Sequence, residues 1–124
     1  MNVVDSSGWL EYFADGQHAH VFAPSIMATE LLVVPTICTY EVFKHLLAQR
    51  DEEDALQAVG IMSLGNVADL TQEIAIDAAA LSFEHKIAMA DSVILATARA
   101  YGAVLWTQDI DFRGIDGVEY IPKV

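Results

Sequence analysis

Several carboxylates stand at positions where they could bind a hard metal cation. Asp5 directly follows an apolar segment at the start of the chain, and Glu41 lies early in a predicted helix. Asp91 opens another predicted helix, and Asp109 follows a predicted strand by two residues, with Asp111 close behind. Grouped carboxylates repel one another unless a cation lies among them, and Mg²⁺ or Mn²⁺ prefers oxygen ligands. Such a cation can activate water and neutralise charge on a scissile phosphodiester.

Each acid also has an ordinary structural interpretation. Asp91 could be a helix N-cap or a first-turn acid, and Asp109 and Asp111 could be turn formers. Glu41 could be a helix-surface residue paired with a base on its own helix. Asp5 is harder to explain in this way, because an unpaired carboxylate after a buried strand costs free energy. No Lys or Arg lies near Asp5 in the sequence.

The segments that position these acids alternate between strands and helices. Apolar runs predict strands over 2–5, 31–34, 66–70, 104–107 and 118–121. Helical spacing of apolar residues predicts a first helix that is capped by Ser6 or Ser7 and ends near 16. Five further helices are predicted over 18–29, 36–50, 51–65, 71–84 and 92–101. This alternation predicts an α/β fold with an open, mostly parallel sheet of four to five strands and helices on both faces.

The acids can be placed on that sheet. Ligands of open parallel sheets bind outside the carboxyl ends of the strands, at the point where the strand order reverses. Asp5, Glu41 and Asp109 are therefore predicted to converge at this edge. The alternation alone does not place the helix that Asp91 opens at the same edge.

Composition sets further bounds. The chain of 124 residues fits one domain, and its 54% hydrophobic content excludes a disordered protein. Eighteen acidic and six basic residues give a net charge of −12, which argues against nucleic-acid binding through a broad basic surface. The only cysteine, Cys38, excludes an intramolecular disulfide and a thiolate zinc site. Neither a signal peptide nor a membrane span is recognisable, so a cytoplasmic location without membrane contact is expected.

Four segments together resemble a known family. They are VVDSSGWLEYF at 3–13, VPTICTYEVFK at 34–44, MADSVILATARAYGA at 89–103 and LWTQDIDF at 105–112. In this order and spacing they resemble the VapC-type toxins of the PIN-domain ribonucleases, over essentially the whole chain. The resemblance implies a three-layer α/β/α PIN-like fold, with residues 1–124 as a single PIN domain.

The resemblance also implies roles for individual residues. The four catalytic and metal-binding acids would be Asp5, Glu41, Asp91 and Asp109. Asp111 is the alternative to Asp109, since the two lie two residues apart. Thr107 matches the hydroxyl residue that orients the carboxylates, and Ser6 is assigned the same role. The start of the helix that carries Asp91 is implied to lie beside the cluster.

The implied activity is Mg²⁺- or Mn²⁺-dependent endonucleolytic hydrolysis of RNA, with structured RNA such as tRNA as the expected substrate. The implied partners are a small cognate antitoxin and a second copy of the chain in a homodimer, with a higher toxin–antitoxin assembly as a further expectation. These expectations belong to the family that the motifs resemble.

Two alternative functions compete with this interpretation. The first is a catalytically inactive PIN-like binding module, which would have no need of four uncompensated acids. The second is a phosphoacceptor receiver domain, with Asp69 and Thr107 in the acceptor and signalling positions. Receivers need an acidic pair after the first strand, whereas Asp5 is followed by serines.

Overall fold

A five-stranded parallel sheet forms the centre of the protein. The computed structural model describes residues 1–123. Its strands are β1 (Asn2–Val4), β2 (Leu32–Pro35), β3 (Asn66–Ala68), β4 (Val104–Thr107) and β5 (Val118–Tyr120). They are ordered β3–β2–β1–β4–β5, and each neighbouring pair is parallel. Val3 aligns with Val33 on one side and Leu105 on the other, and all three side chains are buried.

The helices follow the strands in pairs. They are α1 (Ser6–Phe13), α2 (Ala19–Met27), α3 (Thr36–Gln49), α4 (Glu52–Met62), α5 (Gln72–His85) and α6 (Met89–Ala100). α1 packs on α2, α3 on α4 and α5 on α6. None of the helices in residues 1–123 is long and apolar enough to cross a membrane.

The connections between strands explain the three layers. The chain steps outwards from β1 through β2 to β3, and then returns across the sheet to β4. Right-handed crossovers in opposite directions place their helices on opposite faces of a sheet. The α5–α6 pair therefore covers the face opposite to the earlier helices, and α6 packs on β1, β2 and β4. The expected three-layer α/β/α fold with a parallel sheet is confirmed.

The return across the sheet also fixes where a site should lie. β1 is flanked by β2 on one side and by β4 on the other, and the direction of the connections changes beside it. The carboxyl ends of β1 and β4 therefore border the crevice in which open α/β sheets bind ligands. Asp5 follows β1, and Thr107 is the last residue of β4.

Two predicted helix starts differ from the structure. Strand β1 ends at Val4 instead of residue 5, because Asp5 is the N-cap of α1 and accepts a hydrogen bond from the backbone N–H of Gly8. Ser6, one of the two predicted caps, is instead the first helical residue. α6 begins at Met89, so Asp91 lies inside its first turn.

Most other boundaries differ by one to three residues. Leu31, predicted to begin a strand, belongs to a short 3₁₀ helix at Thr29–Leu31, and a second one at Ile110–Phe112 interrupts the predicted loop after β4. Strands β3 and β5 end earlier than predicted, at Ala68 and Tyr120. These ends depend on which backbone groups find a strand partner, which the apolar pattern does not record.

Candidate active site

The carboxylate of Asp5 is fixed at the junction of β1 and α1. Its Oδ1 accepts hydrogen bonds from the Ser7 hydroxyl at 2.7 Å and from the Gly8 backbone N–H at 3.0 Å. Its Oδ2 accepts a hydrogen bond from the Thr107 hydroxyl at 2.7 Å. The residue is only 3% exposed. Asp5 therefore combines two tasks, since it caps α1 and presents an oriented carboxylate at the switch point of the sheet.

Thr107 links the two strands that border the crevice. It is fully buried at the end of β4. Its hydroxyl donates to Asp5 and accepts a hydrogen bond from the backbone N–H of Asp109 at 2.9 Å. One hydroxyl therefore orients the first acid and holds the loop that carries the fourth.

Three further acids come together beside this link. Carboxylate oxygens of Asp91, Asp109 and Asp111 all lie within 4.8 Å of one another. Asp109 caps the 3₁₀ helix, since its Oδ1 accepts the backbone N–H of Asp111 at 2.9 Å. Asp91 and Asp109 are half-buried, whereas Asp111 is exposed. The structure thus brings both Asp109 and Asp111 into the group with Asp91, although the sequence treats them as alternatives.

The side chain of Glu41 is oriented by a residue of α1. It is half-buried on α3, and its Oε1 accepts a hydrogen bond from the Ser6 hydroxyl at 2.7 Å. Ser6 therefore orients Glu41, while the hydroxyl that orients Asp5 belongs to Ser7. The role of Ser7 is missing from the sequence prediction. It becomes readable only once Asp5 is identified as the N-cap, because the hydroxyl of the second helical residue then lies within reach of the cap.

Burial and mutual repulsion make ionisation of two of these acids unfavourable. Burial raises the pKa of Asp5 from its ordinary value of 3.8 to about 6, although three hydrogen bonds and above all that of Ser7 oppose the rise. Burial first, and then the charges of Asp109, Asp5, Glu41 and Asp111, together raise the pKa of Asp91 from 3.8 to about 7. Since the charges of the other four acids all act on Asp91, the five carboxylates are called here the acid cluster: Asp5, Glu41, Asp91, Asp109 and Asp111.

No Lys, Arg or His side chain of residues 1–123 forms an ion pair with the acid cluster. The one ion pair in this part of the chain joins His85 to Glu84, on the last turn of α5. Oriented carboxylate oxygens that repel one another are the donor set that Mg²⁺ or Mn²⁺ fits, since a hard cation would neutralise them. The residues present therefore fit a divalent cation.

The fold and this site define a class of protein: a parallel α/β domain with an acidic, cation-binding centre at the switch point of its sheet. Comparison with protein families identifies the group within that class. The model of the PIN domain matches residues 3–118, and the chain belongs to this family. No protein with a curated description matches the sequence.

Several solved structures are similar to this chain. A toxin–antitoxin complex from Klebsiella pneumoniae contains a chain with 26% identity and a TM-score of 0.81, with 96% of each chain covered. The VapC20 toxin of Mycobacterium tuberculosis, described as cleaving the sarcin–ricin loop, has 21% identity and a TM-score of 0.79, with 98% of this chain and 100% of that chain covered. DNA-bound VapBC from Salmonella typhimurium has 20% identity and a TM-score of 0.74, with 98% of each chain covered.

These comparisons confirm the resemblance to VapC-type PIN proteins and the PIN fold. They also show that the receiver-domain alternative is wrong. Receivers of the CheY type have the strand order 2-1-3-4-5, whereas this sheet has the order 3-2-1-4-5. Asp69, the acceptor in that alternative, is exposed after the edge strand β3, far across the sheet from Thr107.

Proposed function

We propose that this PIN domain is a metal-dependent endoribonuclease that acts as the toxin of a toxin–antitoxin pair. The observation that carries the proposal is the acid cluster: carboxylate oxygens of Asp91, Asp109 and Asp111 lie within 4.8 Å of one another, next to the buried Asp5. A binding or scaffold module has no use for acids that raise one another's pKa. Membership of the PIN family supports the proposal, as do the toxins among the similar structures.

The cation would be Mg²⁺ or Mn²⁺, held directly or through water by Asp5, Asp91 and Asp109, with Glu41 and Asp111 as further ligands. When bound, such an ion supplies activation of water and neutralisation of charge on the phosphodiester. The chain itself provides the orientation. Thr107 and Ser7 fix both oxygens of Asp5, and Ser6 fixes one oxygen of Glu41. Preorganised ligands of this kind do not have to reorient when charge develops on the reacting group.

The proposed reaction is hydrolysis of an RNA phosphodiester within the strand. Structured RNA such as tRNA is the substrate class that we propose for it, and one similar toxin, from Mycobacterium tuberculosis, is described as cleaving the sarcin–ricin loop. Residues 1–124 would form a single PIN domain that acts in the cytoplasm. Sequencing of RNA 5′-ends after a short induction of the protein would identify the substrate and the cleaved bond.

The decisive experiment removes one charge from the acid cluster at a time. We expect Asp5→Asn and Asp91→Asn each to lower cleavage of total tRNA with Mg²⁺ by ~10³-fold or more, which is ~4 kcal/mol of transition-state stabilisation. Asp69→Asn is the matched control, because Asp69 is exposed and lies at the same edge of the sheet, outside the cluster. Undiminished cleavage by either cluster variant, with folding unchanged, would contradict the assignment.

A small antitoxin is the proposed partner. The similar structures include a toxin–antitoxin complex and a DNA-bound VapBC assembly. An antitoxin Arg or Lys that enters the acid cluster would find a site where a cation is already favoured. Binding of the antitoxin should then weaken with added salt and compete with Mg²⁺.

A homodimer, alone or inside a higher toxin–antitoxin assembly, is also proposed. Light scattering coupled to gel filtration of the chain with and without its antitoxin would measure both states. A monomer at all concentrations would exclude the homodimer and leave the ribonuclease proposal intact.

The inactive-module alternative predicts a different result. A PIN-like scaffold would give no cleavage with either Mg²⁺ or Mn²⁺, and its melting temperature would not respond to these ions. A ribonuclease whose native state binds the cation should melt at a higher temperature when the ion is added. Loss of this shift in Asp91→Asn would locate the bound ion at the acid cluster.

A further inference from the structure

Two open cavities meet at Gln108, and one of them adjoins the acid cluster at Asp109. One has a volume of about 450 Å³ and is lined by Ser7, Gln108, Asp109, Ile110, Tyr120 and Lys123. The other has a volume of about 380 Å³ and is lined by Glu11, Gln17, His18, Gln108 and Lys123. Because the cavities share Gln108 and Lys123, they form a path that leads away from Asp109. We call this path the Gln108 groove.

Gln108 lines the groove and carries a side-chain acceptor that is buried beneath its surface without a hydrogen-bond partner among the described residues. The residue is 7% exposed, and its backbone N–H donates to the Ser7 hydroxyl at 3.2 Å. Its side-chain Nε2 donates to the backbone carbonyl of Ser7 at 3.5 Å. This orients the amide and leaves its Oε1 without a hydrogen-bond partner among the described residues. A buried acceptor without a partner costs free energy, so it points to a donor that arrives with a ligand.

Lys123 supplies a positive charge in the same wall. It is exposed, it lines both cavities, and it is one of only six basic residues in a chain of net charge −12. No carboxylate of residues 1–123 forms an ion pair with it. An exposed ammonium group beside a centre proposed to act on phosphodiesters is positioned to contact a neighbouring phosphate.

We propose that the Gln108 groove binds the unpaired RNA strand next to the scissile phosphate, an inference that rests on the proposed ribonuclease function. Lys123 contacts a backbone phosphate of this strand. Rotation of the Gln108 side chain brings its buried Oε1 to the groove, where it accepts a hydrogen bond from the adjacent nucleotide. The donor is a 2′-hydroxyl or a base N–H because phosphate oxygens carry no hydrogen. Tyr120 and the exposed Ile110 line the groove and provide an aromatic and an apolar surface for a base.

The first test measures binding separately from cleavage. A fluorescein-labelled, single-stranded RNA of about twelve nucleotides and mixed sequence is titrated with the full chain in the cleavage-deficient Asp91→Asn background, and anisotropy is read. We expect Lys123→Gln to weaken binding by ~5- to 10-fold and to reduce the salt slope of log K by ~0.7, which is one phosphate contact to a single strand. Lys123→Arg should restore both values.

Arg99→Gln is the matched control for this test. It also removes one positive charge, but Arg99 lies in the last turn of α6, whereas Asp91 lies in the first turn. The salt slope should therefore stay unchanged in this variant. Equal effects of Lys123→Gln and Arg99→Gln would overturn the role of Lys123, since the net charge alone would then explain the loss.

The second test identifies the donor to Gln108. Gln108→Met keeps the length of the side chain and removes its acceptor. RNAs with one 2′-deoxy position, or with one base missing, are compared on the protein that retains Gln108 and on the Gln108→Met variant. If 2′-deoxy substitution at one position weakens binding to the protein that retains Gln108 but not to Gln108→Met, the donor is the 2′-hydroxyl of that sugar. If removal of one base has this selective effect, the donor is that base. Equal losses in both proteins at every position would overturn the role of Gln108.

A cleavage assay separates this inference from the proposed function. In the otherwise unchanged chain, Lys123→Gln and Gln108→Met should raise KM and leave kcat nearly unchanged, because both residues position the strand. Melting temperatures close to that of the unchanged chain would exclude a folding defect. If RNA binds through these residues and is not cut, the ribonuclease proposal fails and the groove stands. If RNA is cut and neither residue affects Kd or KM, the groove fails and the ribonuclease proposal stands.

Discussion

Asp5 shows how a single residue serves both the fold and the site. As the N-cap of α1 it accepts a backbone N–H that has no partner within the helix. At the same time, burial raises its pKa to about 6, and three donors only partly oppose this rise. A neutral Asn could cap the helix equally well. The charge of Asp5 is therefore a cost to the fold that a bound cation would offset.

The hydroxyl of Thr107 can be tested by a change that keeps the shape of its side chain. Thr107→Val removes the hydrogen bond to Asp5 Oδ2 and the acceptor for the Asp109 backbone N–H. We expect the affinity for Mn²⁺ and the rate of RNA cleavage to fall by ~10- to 100-fold, as for other residues that orient metal ligands. Calorimetric titration with Mn²⁺ and single-turnover cleavage measure the two effects.

Thr97→Val is the control for this experiment. Thr97 is also buried, but its hydroxyl donates to the carbonyl of Val93 within α6. The Thr97→Val variant should lose stability without losing affinity for Mn²⁺. Equal losses of Mn²⁺ affinity in both variants would remove the special role of Thr107.

The raised pKa values of Asp5 and Asp91 predict how stability depends on pH without metal. Both groups bind a proton more tightly in the folded than in the unfolded chain, since their pKa values rise from 3.8 to about 6 and about 7. Their contribution to the free energy of unfolding is therefore fully present below about pH 4 and is lost as pH rises through 6 to 7. In EDTA, Asp91→Asn should be more stable than the unchanged chain at pH 8, and the difference should shrink towards pH 4. We expect a gain of ~2 kcal/mol, about half of what the pKa shift alone would give, because solvent screens the repulsion on this half-exposed group.

Urea unfolding at several pH values measures this difference. Asp77→Asn is the control, because Asp77 is exposed on α5 and should give no pH-dependent gain. Mg²⁺ should stabilise the unchanged chain at pH 8 and have little effect at pH 4, where protons occupy the carboxylates. A difference between Asp91→Asn and the unchanged chain that is constant across this range would show that Asp91 ionises normally.

At the scale of the elements, the first turn of α1 depends on close packing. A Cβ added at Gly8 would lie 2.6 Å from Val4 Cγ1 and 2.8 Å from the ring of Phe22. Gly8 therefore lets α1 start close to β1 and α2, and this start carries Asp5, Ser6 and Ser7. The acid cluster relies on a helix that only a glycine allows to approach so closely.

Two glycine substitutions of opposite sign test this dependence. Gly8→Ala should lower the free energy of unfolding by ~1–3 kcal/mol, as expected for overpacking. Gly60→Ala should raise it by ~0.5–1 kcal/mol, because Gly60 lies inside α4 with nothing within 4 Å of an added Cβ. Thermal or urea unfolding measures both changes. A neutral or stabilising Gly8→Ala would mean that α1 can shift away from β1 without cost.

The elements also show what the sequence can predict. Strand β4 was predicted with its observed bounds, since four apolar or β-branched residues stand between a glycine-containing turn and a polar loop. The alternation of strands and helices predicted the parallel sheet as well. The strand order, and with it the position of α6 next to the acid cluster, depends on packing between distant segments. For Asp91, only the family resemblance predicted that position.

Individual contacts were less accessible to prediction. The sequence predicts a strand that includes Asp5, because Asp5 directly follows the apolar run; in the structure Asp5 is the N-cap of α1 and only shares the extended backbone angles of a strand residue. The hydroxyl of Ser7 carries no motif, although its partner Asp5 lies only two residues away. The side-chain amide of Gln108 carries none either, and its partner, the carbonyl of Ser7, lies 101 positions away in the chain. Contacts of this kind become visible only when the fold brings β4 and α1 together.

For the whole molecule, the net charge of −12 has to be reconciled with an RNA substrate. The acid cluster accounts for five of the eighteen acids, and a divalent cation would neutralise part of that group. The remaining acids still repel a polyanion, and six basic residues are too few to coat a phosphate backbone. RNA must therefore be held through few phosphate contacts, together with the cation and contacts to bases or sugars.

The strength and salt dependence of RNA binding should reflect this balance. Each phosphate contact to a single strand contributes a slope of about −0.7 to log K against log salt, so the few contacts possible here should give a slope of only about −1 to −2. Replacing Mg²⁺ by EDTA should weaken binding several-fold, because the acid cluster then faces the phosphates without a cation. Stopped-flow anisotropy of a short single-stranded RNA, read before cleavage begins, measures both effects in the Asp91→Asn and Glu53→Gln variants, each with Mg²⁺ and with EDTA.

The two variants separate a local from a global effect of charge. Each removes one negative charge, but Glu53 is exposed in the first turn of α4 and lies outside the acid cluster. If the cation acts at the cluster, Glu53→Gln should keep the full response to Mg²⁺ and Asp91→Asn should lose much of it. Equal responses, together with a steep salt slope, would mean that RNA contacts a diffuse surface of the protein. The acid cluster would then have no direct part in holding the RNA, since diffuse screening of the protein's negative charge would account for the effect of Mg²⁺ on binding.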